Sequence, residues 1–155
     1  MTNQAGLQEL DEINKAIVRQ LQEDGRRAYA AIGRVVGLSE AAVRQRVQKL
    51  HTNGVLQIVG VTDPLQLGFA RQVMIGISVT GDVLEVAQKL GELPEADYVV
   101  ITGGSFDVLL EAVVSDDSHL LRLLATDIRS IEGVARTETF TYLKLIKQTY
   151  NWGAK

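Results

Sequence analysis

Gly37-Leu38-Ser39-Glu40-Ala41-Ala42-Val43-Arg44-Gln45-Arg46-Val47-Gln48-Lys49-Leu50-His51-Thr52-Asn53-Gly54 is the stretch whose reading decides the fold of the first third of the chain. Ser39 has the side chain of a helix N-cap. Glu40 follows it in the first turn, where a carboxylate meets the positive end of the helix dipole. Val43, Val47 and Leu50 recur at helical spacing and make one narrow apolar stripe that faces inward. With roughly 100° of rotation per residue, the opposite side collects Ala41, Gln45, Gln48, Lys49 and Thr52, with Arg44 and Arg46 on the flanks. After Glu40 no acidic residue interrupts that outward face.

Upstream, Leu10, Ile13, Ala16, Ile17 and Leu21 have the spacing of an amphipathic helix over residues 10–21, with Gly25 as its stop. A second, short helix is predicted from Tyr29 to Val36, burying Ala31, Ile32, Val35 and Val36 and ending at Gly37 in a left-handed cap. The tight break between Gly37 and Ser39 fixes the angle of the next helix, the arrangement of a helix-turn-helix. The face so presented suits major-groove reading. Gln bonds bidentately to adenine, Arg or Lys to guanine, and Ala leaves room for a thymine methyl. The expected DNA-binding set is Ser39 at the helix start, Ala41, Arg44, Gln45 and Gln48 as base readers, and Arg26, Arg27, Arg46 and Lys49 as phosphate contacts. A lone solvated helix of a three-helix bundle would show the same apolar stripe, so the weight rests on the sum of features. Gly54 closes the helix, and Val55 to Val61 alternates toward a short strand or wing before Asp63 and Pro64.

Bulk composition sets the limits. The 155 residues are 46% hydrophobic, enough for a core, and the net charge of -3 argues by itself against a strongly basic nucleic-acid binder. The average hides a split: residues 1–63 hold eight Lys+Arg against seven Asp+Glu, and residues 64–155 hold eight against twelve. Two functions on two domains follow as an expectation, with a DNA-binding domain at 1–63, a hinge at 64–71 and a second domain at 72–155. Without cysteine there is neither disulfide nor thiolate ligand, and His51 and His119 stand at unrelated spacing, so no metal is expected. No apolar run approaches a membrane span or opens the chain, and a soluble, cytoplasmic protein without membrane partners is expected. No phosphate loop occurs, and Gly104-Ser105 lacks the second flanking glycine of a nucleophile elbow. No catalytic residue and no cofactor are assigned, and the chain is not read as an enzyme.

The second segment alternates differently. Val73, Ile75, Ile77 and Val79 mark a half-buried strand over 72–80. Asp82 caps a helix carrying Val83, Val86, Ala87 and Leu90, and Tyr98 to Thr102 is a second strand. Gly103-Gly104-Ser105 turns into a third strand from Phe106 to Val114. Asp116 or Asp117 caps a helix whose buried stripe is Leu120, Leu121, Leu124 and Ile128, and Val134 to Leu145 is a long fourth strand. The order βαββαβ is the ferredoxin-like arrangement, four antiparallel strands with two helices on one face, giving an α+β chain overall. On the third strand Phe106, Val108, Leu110, Ala112 and Val114 are expected under the helices, with Asp107, Leu109, Glu111 and Val113 opposite. That second set is too apolar for water and too charged for a core, which points to a homodimer through this sheet. In the Gly103-Gly104-Ser105-Phe106-Asp107 run, glycine N-H groups could approach a ligand carboxylate and Asp107 could pair an α-ammonium group. Two glycines before a strand also fit a plain hairpin turn. Trp152 is read as docking on a neighbouring surface or lying in a disordered tail.

Gly37-Leu38-Ser39, Val43, Arg46-Val47, Leu50 and Gly54-Val55-Leu56, with Leu10-Asp11 and Asp24-Gly25-Arg26 upstream, resemble the winged helix-turn-helix of the Lrp/AsnC (leucine-responsive and asparagine regulator) family of prokaryotic transcription regulators. The resemblance runs from about Leu10 to Tyr150. It implies regulation of transcription on double-stranded DNA, an amino acid or related metabolite as effector, and assembly into dimers and higher rings such as tetramers or octamers. It implies an effector site lined by Gly103, Phe106 and Asp107, with hydroxyls from Thr137 and Thr139, and the glycine turn itself adds Gly104 to the expected set. Phe106 stands where tyrosine is more usual, which removes one hydroxyl. A ferredoxin-like allosteric module without a DNA role is the alternative reading.

Overall fold

The computed structural model describes residues 10–149, and Trp152 lies outside them. Two compact units divide the chain: among the described residues, 10–60 with 147–149 belong to one and Val61–Ile146 to the other.

In the first unit, α1 (Glu12–Glu23), α2 (Tyr29–Val36) and α3 (Glu40–Thr52) surround a small core. Helix α1 starts two residues later than its apolar spacing suggests because the Asp11 side chain caps it, accepting from the Asn14 N-H at 2.6 Å. Ile17, Val18 and Leu21 of α1, Ile32 of α2, and Val43, Val47 and Leu50 of α3 are the buried set. Val35, expected in that core, is 65% exposed. In so short a helix Ile32 and Val36 define the inward edge, and Val35 falls a quarter-turn away. The expected wing strand over Val55–Val61 does not form. The N-H groups of Val55 and Leu56 both bond to the Leu50 carbonyl, at 2.9 and 3.2 Å, closing the end of α3.

The second unit opens with a 3₁₀ turn, Pro64–Leu67, inside the expected hinge. It consists of β1 (Arg71–Val79), α4 (Val83–Gly91), β2 (Ala96–Ile101), β3 (Val108–Val114), α5 (Asp117–Arg122) and β4 (Val134–Thr141). The antiparallel sheet has the order β2-β3-β1-β4, the ferredoxin-like topology expected. Val73, Ile75 and Ile77 of β1 and Val108, Leu110, Ala112 and Val114 of β3 are fully buried with Val86 and Leu90 of α4.

Three sequence expectations need correction here. The helix after Asp116 widens into a π-helical turn at Leu123–Ile128, which inserts a residue into the helical phase. Leu123 is therefore buried and Leu121 is 66% exposed. Strand β4 ends at Thr141, opposite Val73, because β1 begins at Arg71 and offers nothing beyond Tyr142, whose N-H reaches the Gln72 carbonyl at 2.9 Å. Strand β3 begins at Val108, and Phe106 lies outside the alternation that placed it under the helices.

Candidate nucleic-acid interface and effector site

The helix-turn-helix is held by close backbone packing. Gly37 takes φ 73° and its N-H bonds to the Gly33 carbonyl, while the Leu38 N-H reaches the same oxygen at 2.9 Å. A side chain at Gly33 would put its Cβ 2.4 Å from the Leu38 carbonyl oxygen, so the turn can lie against α2 only over a glycine. Ser39 Oγ accepts from the Ala42 N-H at 3.2 Å and starts α3. With Val43, Val47 and Leu50 locked inward, Ala41, Arg44, Gln45, Gln48, Lys49, Thr52 and Asn53 line one shallow groove of about 630 Å³.

The cations of this region fall into two groups. Arg46 is turned back onto α1, where its Nη1 donates to Asp11 Oδ2 at 2.7 Å and to Asn14 Oδ1 at 2.9 Å. The Arg46 hydrogen bond, with that from the Asn14 backbone, holds the Asp11 carboxyl below its usual range. Arg27 is likewise engaged with α1, at 2.5 Å to Gln20 Oε1 and 3.0 Å to Glu23 Oε2. Arg26 uses its backbone N-H on Asp24 Oδ1 at 2.9 Å. Arg44 stays on the outward face, paired with Glu40 at 2.7 Å, its guanidinium carbon 5.3 Å from the Tyr29 ring centroid. Among the described residues Lys49 makes no ion pair. The sequence marks Glu40 only as a first-turn acid and Tyr29 only as the start of α2, and joins neither to Arg44, although Glu40 and Arg44 stand at the i,i+4 spacing that pairs charges on a helix.

In the second unit the turn Gly103 to Asp107 is tied to the end of β1. Asp107 N-H donates to the Ile77 carbonyl at 3.0 Å, and Asp107 Oδ2 accepts from the Val79 N-H at 2.8 Å. Thr102 closes the turn from inside, its N-H on the Asp107 carbonyl at 2.8 Å and its hydroxyl on the Phe106 carbonyl. The Phe106 ring covers Gly76, where a Cβ would come within 2.6 Å of it, and meets Phe140 edge-on at 6.0 Å. Gly76 pairs with Leu109 and Glu138, so both phenylalanines sit on the face away from the helices. Thr139 and Thr137 pair with Ile75 and Ile77, whose side chains are buried under the helices. The structure therefore brings Gly103, Gly104, Phe106 and Asp107 into one turn and sets Thr137 and Thr139 on the opposite sheet face. Phe140 and Gly76 were missed, though a glycine inside a strand is itself a sign of close approach.

The same open face carries a polar cluster. Gln72 Nε2 donates to Glu111 Oε1 at 2.8 Å. Burial, and then the Glu111 carboxylate, push the Tyr142 phenol up to about 12. Burial and Glu111 in the same order raise Asp97.

Residues 10–51 match the family model of the AsnC-type helix-turn-helix domain, and residues 72–152 match that of the Lrp/AsnC ligand binding domain. The chain belongs to the Lrp/AsnC family. It is similar to an HTH-type transcriptional regulator of Pyrococcus furiosus, 36% identical over 146 residues that cover 93% of this chain and 96% of that one. Its fold is similar to that of AsnC from Escherichia coli (TM-score 0.77, 25% identity, 92% of this chain and 98% of that one). It is also similar to a Neisseria meningitidis transcriptional regulator solved as a complex with L-Met (TM-score 0.78, 26% identity, 92% and 95% covered). This Lrp/AsnC chain is thus a transcription regulator that joins a DNA-binding helix-turn-helix to a ligand-binding domain.

Proposed function

We propose that α3 enters the major groove of double-stranded DNA and reads bases with Ala41, Arg44, Gln45 and Gln48, while Lys49 and Arg26 contact phosphates. The observation that carries this reading is the single groove that gathers the outward residues of α3 into one amide and cationic surface. Ser39 serves as the cap that sets where the helix begins. Arg46 holds α1 to the reading helix and Arg27 ties the α1–α2 connection to α1, so they act on DNA binding through the scaffold. The test is a titration of DNA against salt, since phosphate contacts impose a steep dependence. Arg44→Ala is expected to relax preference at one base position by about 1–3 kcal/mol. An unchanged ratio of selected to random DNA in that variant would reject the role of Arg44. No binding at low salt would leave a ligand module without a DNA role.

The effector is an amino acid or a related small metabolite, a reading supported by the Lrp/AsnC ligand-binding match and by the L-Met complex of the Neisseria relative. The Gly103–Asp107 turn supplies exposed backbone N-H groups for a carboxylate, and Asp107 keeps its Oδ1 for an ammonium group. Thr137 and Thr139 reach an effector only from the helix side of the sheet. A thermal-shift screen of the amino acids finds the effector, because stabilisation grows with concentration over Kd. Asp107→Asn is expected to abolish the shift; an intact shift would remove Asp107 from the site. Two copies join through the open sheet face, with assembly to tetramers or octamers beyond that, in the cytoplasm where the DNA is.

A further inference from the structure

We propose that Tyr29 and Glu40 are positioning residues that hold the Arg44 guanidinium in its base-reading pose and set the specificity of the helix-turn-helix. This rests on the reading of α3 as the DNA-reading helix. Arg44 has four rotatable side-chain bonds and projects from an exposed position, so left alone its planar fork would sample many directions. Here it is restrained from two sides. Glu40, one turn earlier on α3, takes one guanidinium nitrogen at 2.7 Å. The ring of Tyr29 lies 5.3 Å from the guanidinium carbon. Tyr29 is the first residue of α2 and packs partly into the core of the unit, so the ring is itself anchored. The ring approaches from another helix and the carboxylate from the helix of Arg44 itself, and together they restrain the direction of the fork.

The two restraints have separable consequences. A fork held in advance loses less rotational freedom on meeting a base edge, so Tyr29 favours the correct base and leaves phosphate contacts alone. Glu40 adds a negative charge at the start of the reading helix, which opposes sequence-independent attraction to phosphates. Its partial neutralisation of Arg44 lowers affinity for random DNA more than for a site where the fork finds its base. Arg46, two residues on, has no such role because its guanidinium is spent on Asp11 and Asn14.

The experiment uses the full chain and duplexes selected by it from a random-sequence pool, with an unselected random duplex as reference. Tyr29→Leu, which keeps apolar volume, is expected to cut preference for the base read by Arg44 by about 2- to 5-fold, the worth of an exposed cation–π contact. The salt slope and the affinity for random duplex should be unchanged. Glu40→Gln is expected to raise random-duplex affinity several-fold and compress the selected-to-random ratio. In an Arg44→Ala background the loss of preference from Tyr29→Leu and the compression of the selected-to-random ratio by Glu40→Gln should both vanish, the signature of residues acting through one partner, while the rise in overall affinity from removing the Glu40 charge remains. The proposal is overturned if either variant changes base preference equally with and without Arg44, or if both leave preference intact while Arg44→Ala alone loses it. If Arg44→Ala, Gln45→Ala and Lys49→Ala all leave binding to selected duplex unchanged, the reading of α3 fails, and the positioning role with it. Circular dichroism melts of each variant separate a folding defect from these outcomes, and Tyr29→Phe, which keeps the aromatic face, should restore the preference.

Discussion

The outward face of α3 and the open face of the sheet are both accessible to solvent in the single chain, and their chemistry is opposite. On α3 the exposed groups are amides, an arginine and a lysine around a shallow groove, and its valines and leucine are buried. On the sheet, Phe106 and Phe140 lie with Leu109 and Val113 beside Gln72, Glu111 and Tyr142. A polar, donor-rich face needs no cover until it meets an acceptor-rich partner such as DNA. An apolar face seeded with carboxylates is incomplete in water and asks for a complementary protein surface. The difference separates the partners proposed for the two faces: a nucleic acid for the helix and a second copy for the sheet.

The strongest way to break this comparison is to make the sheet face resemble the helix face. Leu109→Lys puts an ammonium group in the middle of the open face, where a second copy would have to strip it of water. The expected cost to association is on the order of 3 kcal/mol, roughly a hundredfold by affinity arithmetic. Sedimentation velocity should show a folded monomer at concentrations where the unaltered chain is a dimer. DNA affinity should fall with it, because one copy makes few phosphate contacts. An unaltered sedimentation coefficient would assign the sheet face to some other partner.

Next in size is Gly76→Ala. The added Cβ would overlap the Phe106 ring at 2.6 Å, so the ring must swing off the sheet and lose its edge contact with Phe140. Overpacking of this kind costs about 1–3 kcal/mol, read by urea denaturation. In a Phe106→Ala background the same change should be nearly neutral, and a full cost there would show that the strain lies in the backbone.

Much of this was legible in the sequence, and the failures share a cause. Ser39, Gly37 and the Val43, Val47, Leu50 stripe fixed where α3 starts and which way it faces, because caps and helical period are local properties. Alternation in the segments of β1 and β3 likewise gave the buried residues and the ferredoxin-like order. What went unread depends on groups far apart in the chain. Arg46 is spent on Asp11, and no local pattern announces a partner on another helix. Thr137 and Thr139 lie on the opposite face from Phe106 because of the pairing register of β4 with β1, which spacing alone does not contain. The π-helical turn at Leu123–Ile128 shifts the phase of an otherwise regular apolar stripe, so Leu121 looked buried until the helix was seen.

The two cation environments, Lys49 with no ion pair among the described residues and Arg46 paired with Asp11, give a smaller test on the helix side. Lys49→Ala should lower the slope of log affinity against log salt by about one, with little change in melting temperature. Arg46→Ala should do the reverse, keeping the salt slope while lowering the melting temperature, because it frees Asp11 and loosens α1 from α3. The Asp11 contribution has a defined pH sign. Its folded pKa is lowered, so the stabilisation is present above the usual carboxylate value of 3.8 and is lost as pH falls through the folded value. Arg46→Ala should remove that part of the acid sensitivity. If both variants changed the salt slope alike, Arg46 would be a phosphate contact after all.

The finest probe is Tyr142, which reports on the open sheet face from within. Its phenol is pushed up to about 12 by burial first and by the Glu111 carboxylate second. A folded pKa raised above the ordinary value of 10.0 means that the stabilisation is complete below that pH and is lost as pH climbs through about 12. In a spectrophotometric titration one tyrosine should therefore ionise later than the rest. Glu111→Gln removes the neighbouring charge and leaves the burial, so the lag should shorten without disappearing, and Asp97 should move down toward the usual carboxylate range with it. An unchanged lag would mean that burial alone sets it. Concentration then ties the measurement back to the partner of the face. A second copy seated there excludes more water from Tyr142, so the lag should lengthen as the chain is concentrated through its dimerisation range. In the Leu109→Lys variant it should stay constant, because no second copy arrives to deepen the burial.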